Sequence, residues 1–557
     1  MTSMHQSTTS ATGRRLWTFT LIAAALGCAA ISAQAVESAS EACANLAGKD
    51  IPAPLIGLPT TGASITSATL VAASAEGNAN GEYCKVLGAI HPVDYTAPDI
   101  NIEVNLPSNW NGKSLQFGGG GLNGVLITGL GRYAKQPENE ATPLARGYVT
   151  LGSDSGHQST TGFDGSFYLN REALENYGHQ QLKKTHDVAM RLVELRYGKK
   201  PQYNYFIGGS QGGHEGFDVA QRYPDDYHGV VAGYPAHNVV MLHLSALQYA
   251  RALHANDGRS WLNPAEVKYL VDNVYQRCDD LDGAKDGIIS NVAACITATA
   301  EFKALAPTNP LRCANGADAG DSCLSDAQLQ ALNVMDTPYD VGFKVFNDDA
   351  PNGVFPKWTP FEGSTFTDGG SPKLGETGPG QALQVAPGVA TSGLAIAQDL
   401  TMDAMKDFDA RRYPARIVEL AQKMSANSTR LDRFRAHGGK LIFFHGTIDD
   451  YIPVYSSIQY FQRLQQRYPQ DALDEFVRFY TVPGMGHVTG VFNARMSTLD
   501  ALEAWVEHAT APTELVASDA NEATRGRTRP VCRYPQWPQY TGRGDINKAA
   551  SFNCVAK

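Results

Sequence analysis

Residues Tyr205-Phe206-Ile207-Gly208-Gly209-Ser210-Gln211-Gly212-Gly213-His214 constrain the fold more than any other stretch of the chain. An apolar, aromatic run reads as a buried strand. Gly208-x-Ser210-x-Gly212 follows at once, and Glu215 to Tyr223 can form a helix. A strand that turns into a helix through G-x-S-x-G is the setting of a nucleophile elbow. The turn is too sharp for side chains at the flanking positions, so glycines sit there and the serine hydroxyl is pushed out of the sheet. A bare G-x-S-x-G also arises by chance, so the case depends on partners elsewhere in the chain.

Around the elbow, strands alternate with helices. Ile102 to Leu106 alternates apolar and polar residues, and Lys113 to Phe117 is a strand ending in Gly118-Gly119-Gly120-Gly121. Tyr148 to Leu151 runs into Ser153-Asp154-Ser155-Gly156-His157. Leu182, Val188, Ala189, Leu192 and Leu195 recur at helical spacing, and Val230 to Gly233 reads as a core strand. This rhythm predicts an α/β fold with a mainly parallel sheet covered by helices on both faces. From Val36 to about Asn101 the chain is rich in small residues and predicts short strands.

The rhythm breaks between about Pro235 and Leu431. Loops rich in Gly, Pro, Asp and Asn carry four cysteines and scattered aromatics: Trp261, Tyr339, Phe343, Phe346, Phe355, Trp358, Phe361 and Phe366. We read 236–431 as an inserted lid domain, with the catalytic domain built from 36–235 and 432–557. The core resumes with Lys440 to Phe444, ending in His445-Gly446-Thr447-Ile448-Asp449-Asp450, and with Phe476 to Tyr480, ending in Pro483-Gly484-Met485-Gly486-His487.

A serine hydroxyl becomes a nucleophile when an imidazole takes its proton and a carboxylate fixes the imidazole's tautomer. In an α/β-hydrolase these arrive in the order Ser, Asp, His, each after a strand. Ser210, Asp449 and His487 meet that order and are the expected catalytic residues. Asp450 is the alternative acid, but the spacing to Gly446 and Pro453 favours Asp449. His445 is expected to be structural or pocket-lining, and His157 and His214 to be hydrogen-bonded loop histidines. The backbone N–H of Gln211 should hold the oxyanion, together with one from the glycine run, where Gly120 and Gly121 are the candidates.

Composition and targeting narrow the setting. The net charge of −10 and the absence of a basic run argue against a nucleic-acid surface. Met1 to Ala35 reads as an export signal: Arg14-Arg15, the apolar Leu16 to Ile31, then Ala33-Gln34-Ala35. A lipoprotein signal ending at Cys28 is the rival, which Ala25 fits poorly. The export reading makes the protein secreted or periplasmic, and no other apolar run is long enough to span a bilayer. The remaining eight cysteines imply disulfides in an exported chain. Order along the chain suggests Cys43–Cys84, Cys278–Cys295, Cys313–Cys323 and Cys532–Cys554, although eight cysteines allow about 105 connectivities.

Within the insertion, Cys278-Asp279-Asp280-Leu281-Asp282-Gly283-Ala284-Lys285-Asp286-Gly287-Ile288 offers hard oxygen donors. Carboxylates of Asp279, Asp282 and Asp286 with carbonyls of Ala284 and Ile288 suit Ca²⁺. A solvated acidic turn fits the spacing equally well.

Taken together, the glycine run, the Gly208–Gly213 elbow, the acidic loop, His445-Gly446-x-x-Asp449-x-x-Ile452-Pro453 and Gly484-x-Gly486-His487 resemble the tannase and feruloyl esterase family of exported serine esterases. The resemblance spans nearly the whole chain after Ala35. It implies an α/β-hydrolase fold with a lid between nucleophile and acid, a structural Ca²⁺ in the lid at Asp279, Asp282, Ala284, Asp286 and Ile288, and a small-molecule aromatic ester substrate. Feruloyl and chlorogenate esters are the leading expectation; terephthalate monoesters and gallate esters are the alternatives. A peptidase on the same scaffold and a non-catalytic aromatic-ligand-binding protein are weaker readings, separable by an ester-versus-amide panel and by a serine-directed phosphonate probe. One departure stands out. The family carries a cysteine before the serine and another after the histidine; here Gly209 and Val488 occupy those places. Cysteines introduced at 209 and 488 are expected to cross-link and raise thermal stability.

Overall fold

The computed structural model describes residues 38–160, 164–346, 353–364 and 385–556, without the side chains of 385 and 386. The expected export segment Met1–Ala35, Cys28 within it, and Phe366 lie outside the described residues.

Among the described residues, ten strands form the main sheet. The first eight are β1 (Asp50–Ile51), β2 (Gly62–Val71), β3 (Tyr83–His91), β4 (Ile100–Pro107), β5 (Lys113–Phe117), β6 (Val149–Ser153), β7 (Tyr203–Gly209) and β8 (Gly229–Gly233). A separate ribbon pairs β9 (Tyr339–Asp340) with β10 (Val354–Phe355), and the main sheet resumes with β11 (Lys440–Gly446) and β12 (Val477–Val482). The strand order is β1-β2-β3-β4-β6-β5-β7-β8-β11-β12. From β6 to β12 all five pairings are parallel. From β1 to β6 all four are antiparallel. The short strands expected before Asn101 are a correction: β2 spans ten residues and β3 nine. The outer face of β2 is partly exposed and rich in Ser, Thr and Ala, and that of β3 carries Lys85, Leu87 and His91, so the apolar alternation that marks a strand is faint.

The parallel strands are buried on both faces, and successive side chains serve opposite layers. Ile207, Val231, Ile442 and Phe444 pack beneath Leu499, Leu502 and Trp505 of the helix Thr498–His508. Phe206, Val230, Leu441 and Phe443 face Phe217 of the helix Gln211–Arg222 and Tyr460, Phe461 and Leu464 of the helix Val454–Arg467. Helices therefore cover both faces of this half of the sheet.

Between β8 and β11 the described chain adds no strand to the main sheet. The helices Val239–Leu253, Pro264–Cys278, Asp326–Met335 and Pro414–Met424 bury Leu247, Leu270, Leu332 and Leu420 in one apolar cluster with Trp358 and Phe361. Capping boxes, Asn263 with Glu266 and Ser325 with Gln328, start two of these helices. After β12 the chain forms β13 (Ala494–Arg495), β14 (Leu515–Asp519) and β15 (Thr528–Val531), and then the hairpin β16 (Trp537–Tyr540) and β17 (Phe552–Val555). The eight cysteines form Cys43–Cys84, Cys278–Cys295, Cys313–Cys323 and Cys532–Cys554. No helix among the described residues is long and apolar enough to cross a membrane.

Candidate active site

The turn after β7 is as tight as its sequence demands. Ser210 takes φ 62° and ψ −121°, a conformation costly for a residue with a side chain. A Cβ on Gly208 would overlap Gly212, and one on Gly212 would press on the Gly119 carbonyl at 2.8 Å. The helix begins at Gln211, directly after the serine, so His214 lies in its first turns and not in a loop. His214 Nε2 is 2.8 Å from Asp218 Oδ2, and both are fully buried away from the cavity.

Three loops at the carboxyl ends of β7, β11 and β12 bring Ser210, Asp449 and His487 together. His487 Nε2 lies 2.9 Å from Ser210 Oγ, and His487 Nδ1 lies 2.9 Å from Asp449 Oδ2 and 3.1 Å from Oδ1. A carboxylate accepts only, so Nδ1 carries the proton and Nε2 is left to accept from the serine hydroxyl. The backbone N–H groups of Tyr451 and Ile452 donate to Asp449 Oδ1, each at 2.9 Å. Burial pushes the Asp449 carboxyl up. The charge of His487 and hydrogen bonds from His445 and His487 more than reverse this and hold it well below the usual carboxylate range. His445 is the second imidazole on this acid, at 3.5 Å. Its Nε2–H donates to the Ile452 carbonyl at 2.8 Å, and its Nδ1 meets Ser457 Oγ at 2.8 Å. It braces the acid loop and has no line to the serine.

The ring of His487 is held on two sides. Tyr451 stacks on it at 4.7 Å with an 8° interplanar angle, and Tyr234 meets it edge-on at 4.9 Å. Gly118 to Gly121, Ser210, Gln211 and His487 share one cavity of about 830 Å³. The Gly119 N–H is already engaged, donating to Glu215 Oε2 at 2.8 Å. A Cβ on Gly120 would meet nothing within 4 Å, and Gly121 has φ 59°. Among the described residues, the Phe and Tyr rings on this cavity, Phe117, Tyr133, Tyr234 and Tyr451, lie outside 236–431. The inserted segment contributes Val239, Leu242, His243 and Pro387, and its described aromatics named above pack in its own core. His157 is buried against Phe167 at 4.2 Å, and burial pushes its pKa down to about 4.

Sequence reading missed Glu215 and Lys135. Glu215 is fully buried and joins the glycine run to the helix that follows Ser210. Besides the Gly119 N–H, it accepts from Asn123 Nδ2 at 2.6 Å and Gln181 Nε2 at 3.2 Å. Burial raises its pKa to about 7. An acid in the first turns of a buried helix was the available signal. Lys135 Nζ donates to the Val488 carbonyl at 2.9 Å and lies 5.7 Å over the Tyr234 ring. This corrects the expectation for 209 and 488. A Cβ at Gly209 would meet Tyr234 Oη at 2.5 Å and Ala134 Cβ at 3.0 Å. Tyr234 and Ala134 stand where a side chain at 209 would begin.

The acidic loop is closed by Cys278–Cys295. Asp279 Oδ1 accepts from the N–H of Gly287 at 2.7 Å, and Asp282 Oδ1 accepts from that of Ala284 at 2.9 Å. Asp286 Oδ1 accepts from Ile288 N–H at 2.9 Å, and its Oδ2 pairs with Arg529. The three carboxylates do not all come within 4.8 Å of one another. Burial, followed by the charges of Asp286 and Asp279, raises Asp282 to about 6. Its Oδ2 is buried with no protein donor in hydrogen-bond geometry. An orphaned carboxylate oxygen among like charges is a donor set that fits a hard cation. Ile288 packs with Met485 in one cluster, which links this loop to the one carrying His487.

The pattern of the tannase and feruloyl esterase family matches residues 84–555. An uncharacterized esterase of Agrobacterium fabrum is 37% identical over 530 residues, covering 94% of each chain. A mono(2-hydroxyethyl) terephthalate hydrolase of Piscinibacter sakaiensis is 29% identical over 527 residues, 87% of this chain and 86% of that one. The crystal structure of feruloyl esterase B from Aspergillus oryzae superposes with a TM-score of 0.71 at 22% identity, over 93% of this chain and all of that one.

Proposed function

From the premise that this chain belongs to the tannase and feruloyl esterase family and is a carboxylic ester hydrolase, we propose that it cleaves esters of aromatic and phenolic acids through Ser210, His487 and Asp449. The observation that carries this reading is the unbroken chain from Ser210 Oγ to His487 to Asp449, 2.9 Å at each link, opening on one cavity.

His487 Nε2 takes the proton of Ser210 as Oγ attacks the ester carbonyl. Asp449 stabilises the imidazolium that forms and keeps Nδ1 as the donor. The N–H groups of Gln211 and of Gly120 or Gly121 hold the oxyanion. Collapse expels the alcohol with a proton from His487, and water then frees the acyl group by the same steps reversed. On this reading 36–235 and 432–557 form the catalytic domain and 236–431 the lid, which supports the cavity wall through Val239, Leu242 and His243. The phenolic ring would rest on Tyr451, Tyr133 and Phe117.

A Ca²⁺ held by Asp279, Asp282, Asp286 and the carbonyls of Ala284 and Ile288 would neutralise the acidic loop. It would steady the Met485 segment behind His487, with no part in the chemistry. The four disulfides support work in an oxidising compartment after export.

The test is Ser210→Ala. The variant should keep its Tm, lose all measurable turnover of methyl ferulate and chlorogenate, and fail to take a serine-directed phosphonate. Ordinary ester hydrolysis by a folded Ser210→Ala protein would refute the assignment.

A further inference from the structure

The inserted segment lines the cavity over Ser210 with Ala236, Val239, Leu242, His243 and Pro387. Of these five side chains only that of His243 can hydrogen-bond. Its ring is 4% exposed. His243 Nδ1 lies 2.8 Å from Thr391 Oγ1, and Thr391 Oγ1 lies 3.3 Å from the Tyr168 hydroxyl. Thr391 and Tyr168 are buried, and neither lines the cavity. Three segments far apart in sequence thus form one short hydrogen-bonded chain behind the wall. His243 Nε2 has no protein partner among the described residues, yet it is not sealed from open space.

The hydrogens of this chain fix its direction. The Tyr168 hydroxyl has no other partner among the described residues, so it donates to Thr391 Oγ1 or leaves a buried hydrogen unspent. Thr391 then has its own hydrogen to give, and His243 Nδ1 is the acceptor within reach. The reverse order, from Nδ1–H through Thr391 to Tyr168, strands the phenolic hydrogen. If Thr391 accepts from both sides, its own hydrogen is stranded. With Nδ1 accepting, the proton of the neutral imidazole sits on Nε2. Burial, followed by the nearby His214, pushes the His243 pKa down to about 3, so the ring stays neutral. The result is one N–H donor of fixed position on an otherwise apolar stretch of wall, with no protein acceptor to meet it.

We propose that His243 is a specificity-determining residue whose Nε2–H donates to an acceptor oxygen of the substrate other than the scissile carbonyl, with Thr391 and Tyr168 as positioning residues that hold its tautomer. This rests on the esterase reading, in which backbone N–H groups already serve the carbonyl. A site built to hydrogen-bond an oxygen rejects the isostere that lacks it, because the buried donor is then left unpaired. The oxygen can sit on the ring of the acid half or on the alcohol half.

Isosteric pairs separate these sources: methyl 4-methoxycinnamate against methyl 4-ethylcinnamate, methyl 3-methoxycinnamate against methyl 3-ethylcinnamate, and 2-methoxyethyl cinnamate against butyl cinnamate. In at least one pair the oxygen-bearing ester should lead by about fivefold or more in kcat/KM. His243→Phe keeps a ring and loses the donor, so it should lower that ratio at least about threefold. His243→Gln, whose Nε2 can stand near the place of the imidazole's, should keep part of it. Thr391→Val lies outside the cavity and should also lower the ratio, because Nδ1 loses its donor and the proton is free to move. Nitrogen NMR of the wild type should show His243, identified by its missing signal in whichever His243 variant folds, as the Nε2–H tautomer, a readout that needs no turnover. Equal use of both members in every pair, a ratio unmoved in folded His243→Phe, or a His243 ring protonated on Nδ1 overturns the proposal while leaving the esterase reading intact. Failure of every ester to react, with no phosphonate labelling of the wild type, sinks the esterase reading and takes this proposal with it.

Discussion

At the scale of single residues, the site depends on which proton sits where. Asp449 faces two imidazoles, but only His487 reaches the serine. Asp449→Asn would present an amide to Nδ1 and allow the wrong tautomer, so kcat should fall roughly 10³- to 10⁴-fold with little change in fold, measured by steady-state rates and circular dichroism. The replaced cysteine pair gives a second prediction. Because Tyr234 Oη would stand 2.5 Å from a Cβ at 209, the double change Gly209→Cys and Val488→Cys should lower Tm, even where mass spectrometry verifies the bond. A higher Tm in the cross-linked protein would show that Tyr234 yields without cost. Ser210, Asp449 and His487 were legible from the sequence because each is announced by its own neighbours: glycines around the serine, and a strand and turn before the acid and the base. Glu215 and Lys135 were not, since the groups they hold are 96 and 353 residues away.

At the scale of elements, Glu215 ties the loop after β5 to the helix after β7. Its carboxyl ionises near 4.3 in an unfolded chain and at about 7 in the folded protein. Folding therefore favours the protonated acid. That contribution is whole below about pH 4.3 and is lost as pH rises to about 7, on the order of 3 kcal/mol in all. Glu215→Gln keeps the site uncharged, so its Tm should vary less between pH 5 and 7.5 than that of the wild type, by scanning calorimetry. An equally steep curve in the variant would remove Glu215 from this role. The parallel strands were the easiest elements to read, because burial on both faces makes them continuous apolar runs. The long strands β2 and β3 were obscure because the outer face of β2 is rich in Ser, Thr and Ala and that of β3 mixes Lys85 and His91 with Leu87.

At the scale of the whole molecule, the acidic loop connects parts far apart in sequence. Asp286 pairs with Arg529, the Asp286 carbonyl accepts from Arg527 Nη1 at 2.9 Å, and the Tyr540 N–H donates to the Asp282 carbonyl at 3.0 Å. If Ca²⁺ sits there, chelation should lower Tm by about 5 °C or more, restored by Ca²⁺ and not by Mg²⁺, with one ion per chain by elemental analysis. Unchanged Tm and no bound metal would make the loop a solvated turn. What the sequence by itself determined is local: the sharp turn at Ser210, the strands buried on both faces, the cysteine order and the oxygen donors of one loop. These follow from backbone sterics and side-chain chemistry over a few residues. Only the tertiary structure decided that Tyr234 stands where a side chain at 209 would begin, that a buried glutamate secures the glycine run, and that Arg132, Lys135 and Arg495 line the cavity over Ser210. Each of these depends on segments hundreds of residues apart meeting at the carboxyl edge of one sheet, and no local pattern encodes that meeting.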